Sequence, residues 1–257
     1  MIKRILLVVI VCFSFSFNYA QYGGGYNYGS TFKEFGLSAG PVFFQSDYGE
    51  RGKFENYLKN NGFNIGVSAY FTPNSYYEAI QEHFKIKVEL NFMKSFLQHY
   101  GQYVEPTNKG TFATQLRGMR GTTQTIGLGT QIEYFPFKSD DYVRGLSFTP
   151  YISFGGQISY YTSTAYSLLG PLGLNSTTPV KYKNAYRNDS DLVASISTSI
   201  GTRYKLSNND ALFFDAKVQY FFSDWVDGLN PYRKVYTENR SNDWMSVFNI
   251  GYIYYVE

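Results

Sequence analysis

Apolar and polar residues alternate without interruption over residues 84–92, FKIKVELNF. The residues on the apolar face are Phe84, Ile86, Val88, Leu90 and Phe92. Successive side chains of a β-strand point to opposite faces, so a period of two is typical of a strand between unlike surroundings. The pattern predicts a strand whose apolar face meets lipid and whose polar face looks inward.

The same alternation occurs in eight segments of ten or more residues. They cover residues 34–43, 62–71, 84–96, 122–135, 146–160, 192–206, 211–222 and 244–255. A tilted strand crosses a membrane with about 9–11 residues, whereas strands of soluble proteins usually have about five or six. We therefore predict an all-β fold, an eight-stranded antiparallel transmembrane β-barrel over residues 33–257.

The connections between these segments alternate between long and short. Residues 44–61, 97–121, 161–191 and 223–243 form long connections, and residues 72–83, 136–145 and 207–210 form shorter ones. Outer-membrane barrels have long extracellular loops and short periplasmic turns. Rings near the segment ends are expected to form aromatic girdles: Phe43, Phe44, Phe71, Tyr134, Phe135, Tyr160, Tyr161, Phe221, Phe222, Trp225 and Trp244.

The N-terminal residues have the pattern of an export signal. Lys3 and Arg4 precede an apolar run over residues 5–17, and the small residue Ala20 follows. This arrangement predicts a cleaved signal peptide over residues 1–20, a flexible Gly/Tyr-rich lead over residues 21–32, and localisation in the outer membrane.

Composition agrees with a membrane barrel and argues against some other classes. Aromatic residues make up 20% of the chain and charged residues 17%, and the only cysteine is Cys12, inside the predicted signal. The mature chain therefore lacks thiols for a disulfide or a metal cluster. The formal charge of +3, two of it from Lys3 and Arg4, gives no reason to expect a nucleic-acid partner. No metal or cofactor is predicted.

The polar faces of the segments carry charges in mid-strand. They are Lys85, Lys87, Glu89, Glu133, Arg203, Lys205, Asp215 and Lys217. The interior of an eight-stranded barrel is just wide enough to be filled by side chains, and buried charges are costly unless they pair. We expect these residues to form an ionic network in the lumen, and a general diffusion pore is therefore not expected.

Two other readings of the pattern stay open. A soluble secreted β-sandwich that binds a ligand would also show a period of two. A lipid A-modifying enzyme of the outer membrane would need a nucleophile, a base and an acid within hydrogen-bond reach. His99, just past the third segment, is the better of the two histidines for such a role, with Ser95 or Ser163 as nucleophile and Glu105 nearby in sequence.

The long connections contain two further features. Basic residues in three of the long connections could bind the phosphates of surface lipid and lipopolysaccharide, although solvated loop charge accounts for most of them. They are Lys109, Arg117, Arg120, Lys181, Lys183, Arg187, Arg233, Lys234 and Arg240. Residues 49–61 can form one short amphipathic helix that covers the barrel mouth, with Phe54 and Tyr57 on its apolar side.

Two phrases carry a resemblance to a known family: GPVFFQSDYGERGKF over residues 40–54, and QLRGMRG with GLGTQIEYFPF within residues 115–137. They resemble a family of uncharacterised small outer-membrane barrels from Flavobacteria and other Bacteroidota, over most of the mature chain. The layout is more distantly similar to the PorG- and PorT-like barrels of the type IX secretion system and gliding motility. Members of the closer family have carried the label glutamate dehydrogenase. The sequence does not support that activity, because Gly127 and Gly129 lie within a strand pattern and not before a helix.

The pattern and the resemblance together favour a noncatalytic structural or accessory barrel of the cell envelope. The resemblance implies envelope or secretion-complex proteins as partners, and a barrel in this membrane also contacts outer-membrane lipid and lipopolysaccharide.

Overall fold

The computed structural model describes residues 32–73, 83–137, 148–207, 209–239 and 241–256. The predicted signal peptide and residues 21–31 of the predicted lead lie outside the described residues, as do parts of the three short connections.

Eight antiparallel strands form one closed barrel in chain order. They are β1 Phe32–Gln45, β2 Asn61–Phe71, β3 Phe84–Gln98, β4 Met119–Tyr134, β5 Phe148–Ser167, β6 Asp189–Lys205, β7 Asp210–Phe221 and β8 Trp244–Tyr255. Pairing of β1 with β8 closes the sheet. The predicted eight-stranded barrel is confirmed, and the alternative of a two-sheet sandwich is wrong.

The strands are strongly staggered around the barrel. From Leu37 the register passes through β2 to β6 and reaches Phe222, the residue directly after β7. The N–H of Phe222 donates to the carbonyl of Ala194 at 3.0 Å. In the other direction, through β8, the register reaches β7 at Leu212, ten residues earlier. Such a stagger accompanies the usual strand tilt of about 35–45° in barrels.

The long connections lie at one end of the barrel. We call residues 46–60, 99–118, 168–188 and 222–243 loops L1 to L4, and together the cap. L1 contains helix α1, Phe54–Lys59, as expected, and L2 contains helix α2, Thr111–Gly118, which the sequence pattern did not predict. Short 3-10 turns occur at Gln102–Val104, Val180–Tyr182 and Thr237–Asn239. Among the described residues, no helix is long and apolar enough to cross a membrane.

The chain ends of the barrel lie opposite the cap, at what we call the turn end. Glu34 pairs with Tyr255 there, and between β6 and β7 the N–H of Leu206 donates to the carbonyl of Asp210 at 3.0 Å. The strand order thus places both ends of the described barrel on the side of the short connections.

The interior is apolar at both ends and polar between them. Toward the cap, side chains from the strands pack with Tyr48, Leu116, Tyr182, Val226 and Leu229 of the loops: Val42, Phe44, Met93, Leu97, Met119, Tyr161, Val193, Phe221, Met245 and Val247. A smaller cluster at the turn end contains Tyr70, Ala211, Phe213, Ile253 and Tyr255. Four rings predicted for the girdles are instead buried in the interior, because they lie at inward positions of the alternation: Phe44, Phe135, Tyr161 and Phe221.

Candidate functional site

The outer surface of the barrel carries a continuous apolar belt. Every strand carries large apolar side chains that are exposed on the outside of the barrel. Leu37 is 62% exposed, Phe154 64% and Ile250 66%. The predicted lipid-facing residues Phe84, Ile86, Val88, Leu90 and Phe92 lie on this outward face, with Leu90 45% exposed. An outward apolar band of this kind is typical of barrels that face lipid.

The belt ends at a definite level on β3 to β6. Phe92, Ile126, Tyr160 and Leu192 form one row of paired neighbours. The next outward row toward the cap is Lys94, Gln124, Thr162 and Ser190. The hydroxyls of Thr162 and Ser190 share a hydrogen bond of 2.7 Å in that row. In these rows the outward side chains change from apolar to polar, although the strands continue.

Arg203 is the centre of an ionic layer in the lumen. Its Nη1 donates to Glu34 Oε2 at 2.6 Å and its Nη2 to Glu133 Oε2 at 2.8 Å. Lys85 also pairs with Glu34, and all four side chains are at most 1% exposed. Two cations thus share two carboxylates, so the layer is neutral as a unit.

Aromatic rings enclose the Arg203 guanidinium. Its Cζ lies 4.5 Å from the ring centroid of Tyr70 and 5.2 Å from that of Phe135. Arginine stacks favourably on ring faces, particularly where water is excluded. The rings fix the guanidinium in a geometry that serves both carboxylates.

A second ionic group lies around Glu89. Lys217 Nζ donates to Glu89 Oε1 at 2.5 Å, and Lys87 pairs with the other carboxylate oxygen. The hydroxyl of Tyr151 donates to Asp215 Oδ2 at 3.1 Å. These side chains are at most 3% exposed.

Amides and hydroxyls bridge the barrel on the cap side of the charges. Gln157 contacts Asn91 through both its amide oxygen and its amide nitrogen, at 3.0 and 3.2 Å. Gln131 Nε2 donates to Ser197 Oγ at 2.8 Å, and Ser153 Oγ donates to Gln131 Oε1 at 3.1 Å. Together with the ionic groups and the apolar clusters, this layer fills the lumen, which we call the sealed lumen.

The structure places seven of the eight predicted lumen charges in the buried interior; Lys205, near the turn end, is only partly buried, with Nζ 5.8 Å from the Tyr255 ring centroid. The sequence analysis missed Glu34. In the alternation it has the same inward position as Gly36 and Ser38. It is the first residue of the predicted segment 34–43, so no earlier residue of that segment indicated which way its side chain points.

L1 and L4 meet at four buried aspartates that surround one arginine. Arg51 Nε donates to Asp47 Oδ1 at 2.9 Å, and its Nη2 lies 3.3 Å from both Asp224 Oδ1 and Asp243 Oδ1. The fourth, Asp227, accepts from the Asp47 N–H at 2.5 Å. We call these five residues the aspartate–arginine cluster. The aspartates are at most 2% exposed.

The cluster carries more negative than positive charge, and burial shifts its titration. Burial and the Asp47 carboxylate raise the pKa of Asp224 to about 7. Burial and neighbouring carboxylates also raise the pKa values of Asp227 and Asp243 well above their usual range. Burial opposes the Arg51 charge, but Asp47 and Asp243 outweigh it, so the pKa of Arg51 is raised as well. Folding of the cap therefore favours protonated aspartates around a charged Arg51.

L3 is tied to the same cluster. The Tyr182 hydroxyl donates to the Asp47 carbonyl at 3.1 Å. Lys181 Nζ donates to Asn239 Oδ1 at 2.5 Å, and Asn239 in turn donates to the Asp47 carboxylate. The cap is thus cross-linked by hydrogen bonds among three loops.

His99 lies inside the cap and not beside the lipid-facing surface. It is 4% exposed, its Nδ1 accepts from the Gly49 N–H at 3.1 Å, and its ring lies 5.0 Å from Tyr48 and 5.3 Å from Tyr182. Burial lowers its pKa to about 3, helped by the positive charges of Lys181 and Arg120. Glu105 is exposed, and no hydrogen bond among the described residues joins His99 to a serine or an acid. The arrangement is that of a neutral packing histidine.

The described residues contain no group of three or more His, Cys, Asp or Glu side chains that could hold a metal ion. In the aspartate–arginine cluster the compensating positive charge comes from Arg51, and Arg233 adds a contact with Asp224 at 3.2 Å.

Comparison with solved structures finds small barrels. The similar chains include a major outer-membrane protein from Thermus thermophilus, with 15% identity and a TM-score of 0.49 over 87% of this chain and 99% of that one. Neisserial surface protein A has 11% identity and a TM-score of 0.44 over 88% and 98%. The N-terminal β-barrel domain of Pseudomonas aeruginosa OprF has 12% identity and a TM-score of 0.36 over 86% and 96%.

These likenesses concern the fold alone. No protein-family model matches the chain, and no curated protein matches it by sequence. The predicted relationship to the Flavobacteria family, and to the PorG- and PorT-like barrels, stays a prediction.

Proposed function

We propose that this protein is a noncatalytic outer-membrane β-barrel, a structural or accessory component of the cell envelope whose rigid cap faces the outside. The observation that carries the proposal is the combination of an apolar outer belt with a sealed lumen. An outer surface of this character is stable only against lipid or another apolar partner. The filled interior leaves the cap as the surface on which such a protein acts.

The first test addresses insertion and sealing. Purified protein, run unheated and boiled on the same gel, is expected to migrate faster unheated, as a closed barrel does. In planar bilayers we expect no steady conductance above the bilayer background, because ion pairs and amide contacts bridge the lumen from strand to strand. Protein that is soluble without detergent and shows no heat shift contradicts the membrane proposal. Stable single-channel currents contradict the sealed lumen.

The type IX secretion or gliding association is a finer proposal and rests on the resemblance. A C-terminal tag placed at the turn end leaves the cap free for partners. Purification from native membrane in mild detergent is then expected to yield a reproducible set of envelope proteins. A bait that is heat-modifiable but consistently alone argues against an accessory subunit.

The lipid A-modifying alternative depends on His99, and the structure offers a direct test. The change His99→Ala is expected to leave the lipid A profile of cells unchanged by mass spectrometry, because His99 is buried and lacks a catalytic partner among the described residues. Wild-type and deletion strains provide the reference profiles. A lipid A species lost in both the deletion and the His99→Ala strain restores the enzyme hypothesis.

A further inference from the structure

L3 and L4 form a groove on the cap with a volume of about 590 Å³. This size lies within the range of about 300–1,000 Å³ typical of small-molecule sites. Three rings and three cations are among its lining residues: Trp225, Tyr232, Tyr236, Lys181, Arg233 and Lys234. We call this feature the cap groove.

Two of the cations are held in place by neighbouring groups. Lys181 Nζ lies 2.8 Å from Glu238 Oε1 and 5.2 Å from the Tyr236 ring centroid. The Arg233 guanidinium lies 3.2 Å from Asp224 Oδ2 and 2.9 Å from Asn242 Oδ1. Asp224 is buried, so the one exposed acid in these contacts is Glu238. Each of these two cations is therefore held at the groove beside one carboxylate.

Lys234 differs from the other two cations. It is exposed, and within the part of the chain that the structure describes it makes no ion pair. Its charge is available to an incoming anion, so the cap groove has complementarity for a negatively charged ligand.

The rings supply flat faces beside these charges. Tyr232 is 60% exposed, and the Trp225 indole is fixed because its Nε1 donates to the Asn230 amide oxygen at 3.0 Å, with that amide in its hydrogen-bonding orientation. A sugar ring has apolar C–H faces that pack on such rings, and its acidic substituents can meet the cations. A peptide is favoured less, because the closed barrel leaves no free strand edge for an added strand.

We propose that the cap groove binds an acidic oligosaccharide, with its carboxylate or sulfate groups at Lys181, Arg233 and Lys234 and its sugar rings on Trp225 and Tyr232. This goes beyond the envelope role proposed above, and its test is independent of any partner protein.

Trp225 provides the readout. The chain has two tryptophans, and in a Trp244→Phe background Trp225 is the sole one. Full-length protein in detergent micelles is titrated with a hexamer of galacturonic acid, with maltohexaose as the neutral match and hexaglutamate as the acidic peptide match. We expect a saturable change in Trp225 emission with the acidic sugar only, weakened by added salt.

Lys234→Gln in this background is expected to weaken binding about two- to fivefold, which is the size of one exposed charge contact. Lys183→Gln is the matched control, because Lys183 lies in L3, contacts Asn175, and does not line the groove. Tyr232→Ala is expected to weaken binding further by removing a stacking face.

The outcomes separate clearly. Equal binding of maltohexaose removes the role of charge, and equal binding of hexaglutamate assigns the groove to acidic peptides; either overturns the proposal. Absence of a saturable response to the galacturonate hexamer, or equal effects of the two lysine variants, also overturns it.

Discussion

Replacing Arg203 with methionine is expected to destabilise the barrel by about 3–5 kcal/mol, the usual cost of breaking a buried ion pair. Arg203 donates to Glu133, and it shares Glu34 with Lys85. The methionine side chain fills much of the space but leaves the Glu133 carboxylate buried without that partner. The free energy of unfolding is measured by guanidinium denaturation of protein reconstituted in phospholipid vesicles.

A second change tests that explanation. Adding Glu133→Gln to Arg203→Met removes the carboxylate that has lost its contact with Arg203 and is expected to recover a substantial part of the lost stability. Lys94→Met is the matched control, because Lys94 lies on the outward face in the polar row and surface changes of this kind cost within about 0.5 kcal/mol. Equal destabilisation by the Arg203 and Lys94 changes contradicts the assignment of Arg203 to a buried ionic layer.

The strands and their two faces followed from the sequence because lipid and lumen impose opposite demands on neighbouring residues. All eight predicted segments correspond to strands, and β2 differs from its predicted range by one residue. The prediction was less accurate where lipid contact ends. β5 continues to Ser167 and β6 begins at Asp189, but the outward residues there are polar, as at Thr162 and Thr164. The alternation stops at the edge of the belt, while the hydrogen-bonded ladder continues.

Most of the cap structure could not be predicted from the sequence. Helix α2 has eight residues, too short to be stable alone, and forms with Ala113 and Leu116 buried in the cap interior. The aspartate–arginine cluster joins Asp47 to residues near position 227, 180 positions away, with no local periodicity to reveal the contact. His99 could be identified as a residue near the barrel mouth, but its burial depends on how L1 and L3 pack over it.

The aspartate–arginine cluster is expected to make the cap less stable as pH rises from about 4 to about 7. The folded cap raises the pKa of Asp224 to about 7 and those of Asp227 and Asp243 well above their usual range. Groups with raised pKa values bind more protons in the folded state, so their contribution is present at low pH and lost as pH rises through the folded pKa. Each such group changes the equilibrium constant between the folded and the unfolded cap by up to about tenfold per pH unit in that window.

Trp225 emission in the Trp244→Phe background reports this equilibrium, because Trp225 adjoins Asp224 in L4. The guanidinium midpoint of the Trp225 signal is expected to fall over the same rise in pH, while the gel shift shows that the barrel stays closed. Asp224→Asn is expected to reduce this slope, since it removes the group whose pKa is about 7. Glu238→Gln is the matched control, because the Glu238 side chain is 60% exposed and Lys181 lowers its pKa.

Protonation of His99 has the opposite effect on the stability of the cap. Its pKa is lowered from 6.5 to about 3 in the folded cap, so between these two values the unfolded loops bind a proton that the folded ones do not. Stability from this group is therefore lost as pH falls through that window, so the His99 effect opposes the aspartate effect between about pH 4 and 6.5. His99→Gln should therefore make the midpoint fall more steeply as pH rises over this range, and Asp224→Asn should make it fall less steeply. Slope changes in the same direction for the two variants, or a midpoint independent of pH, contradict the separate roles assigned to these buried groups.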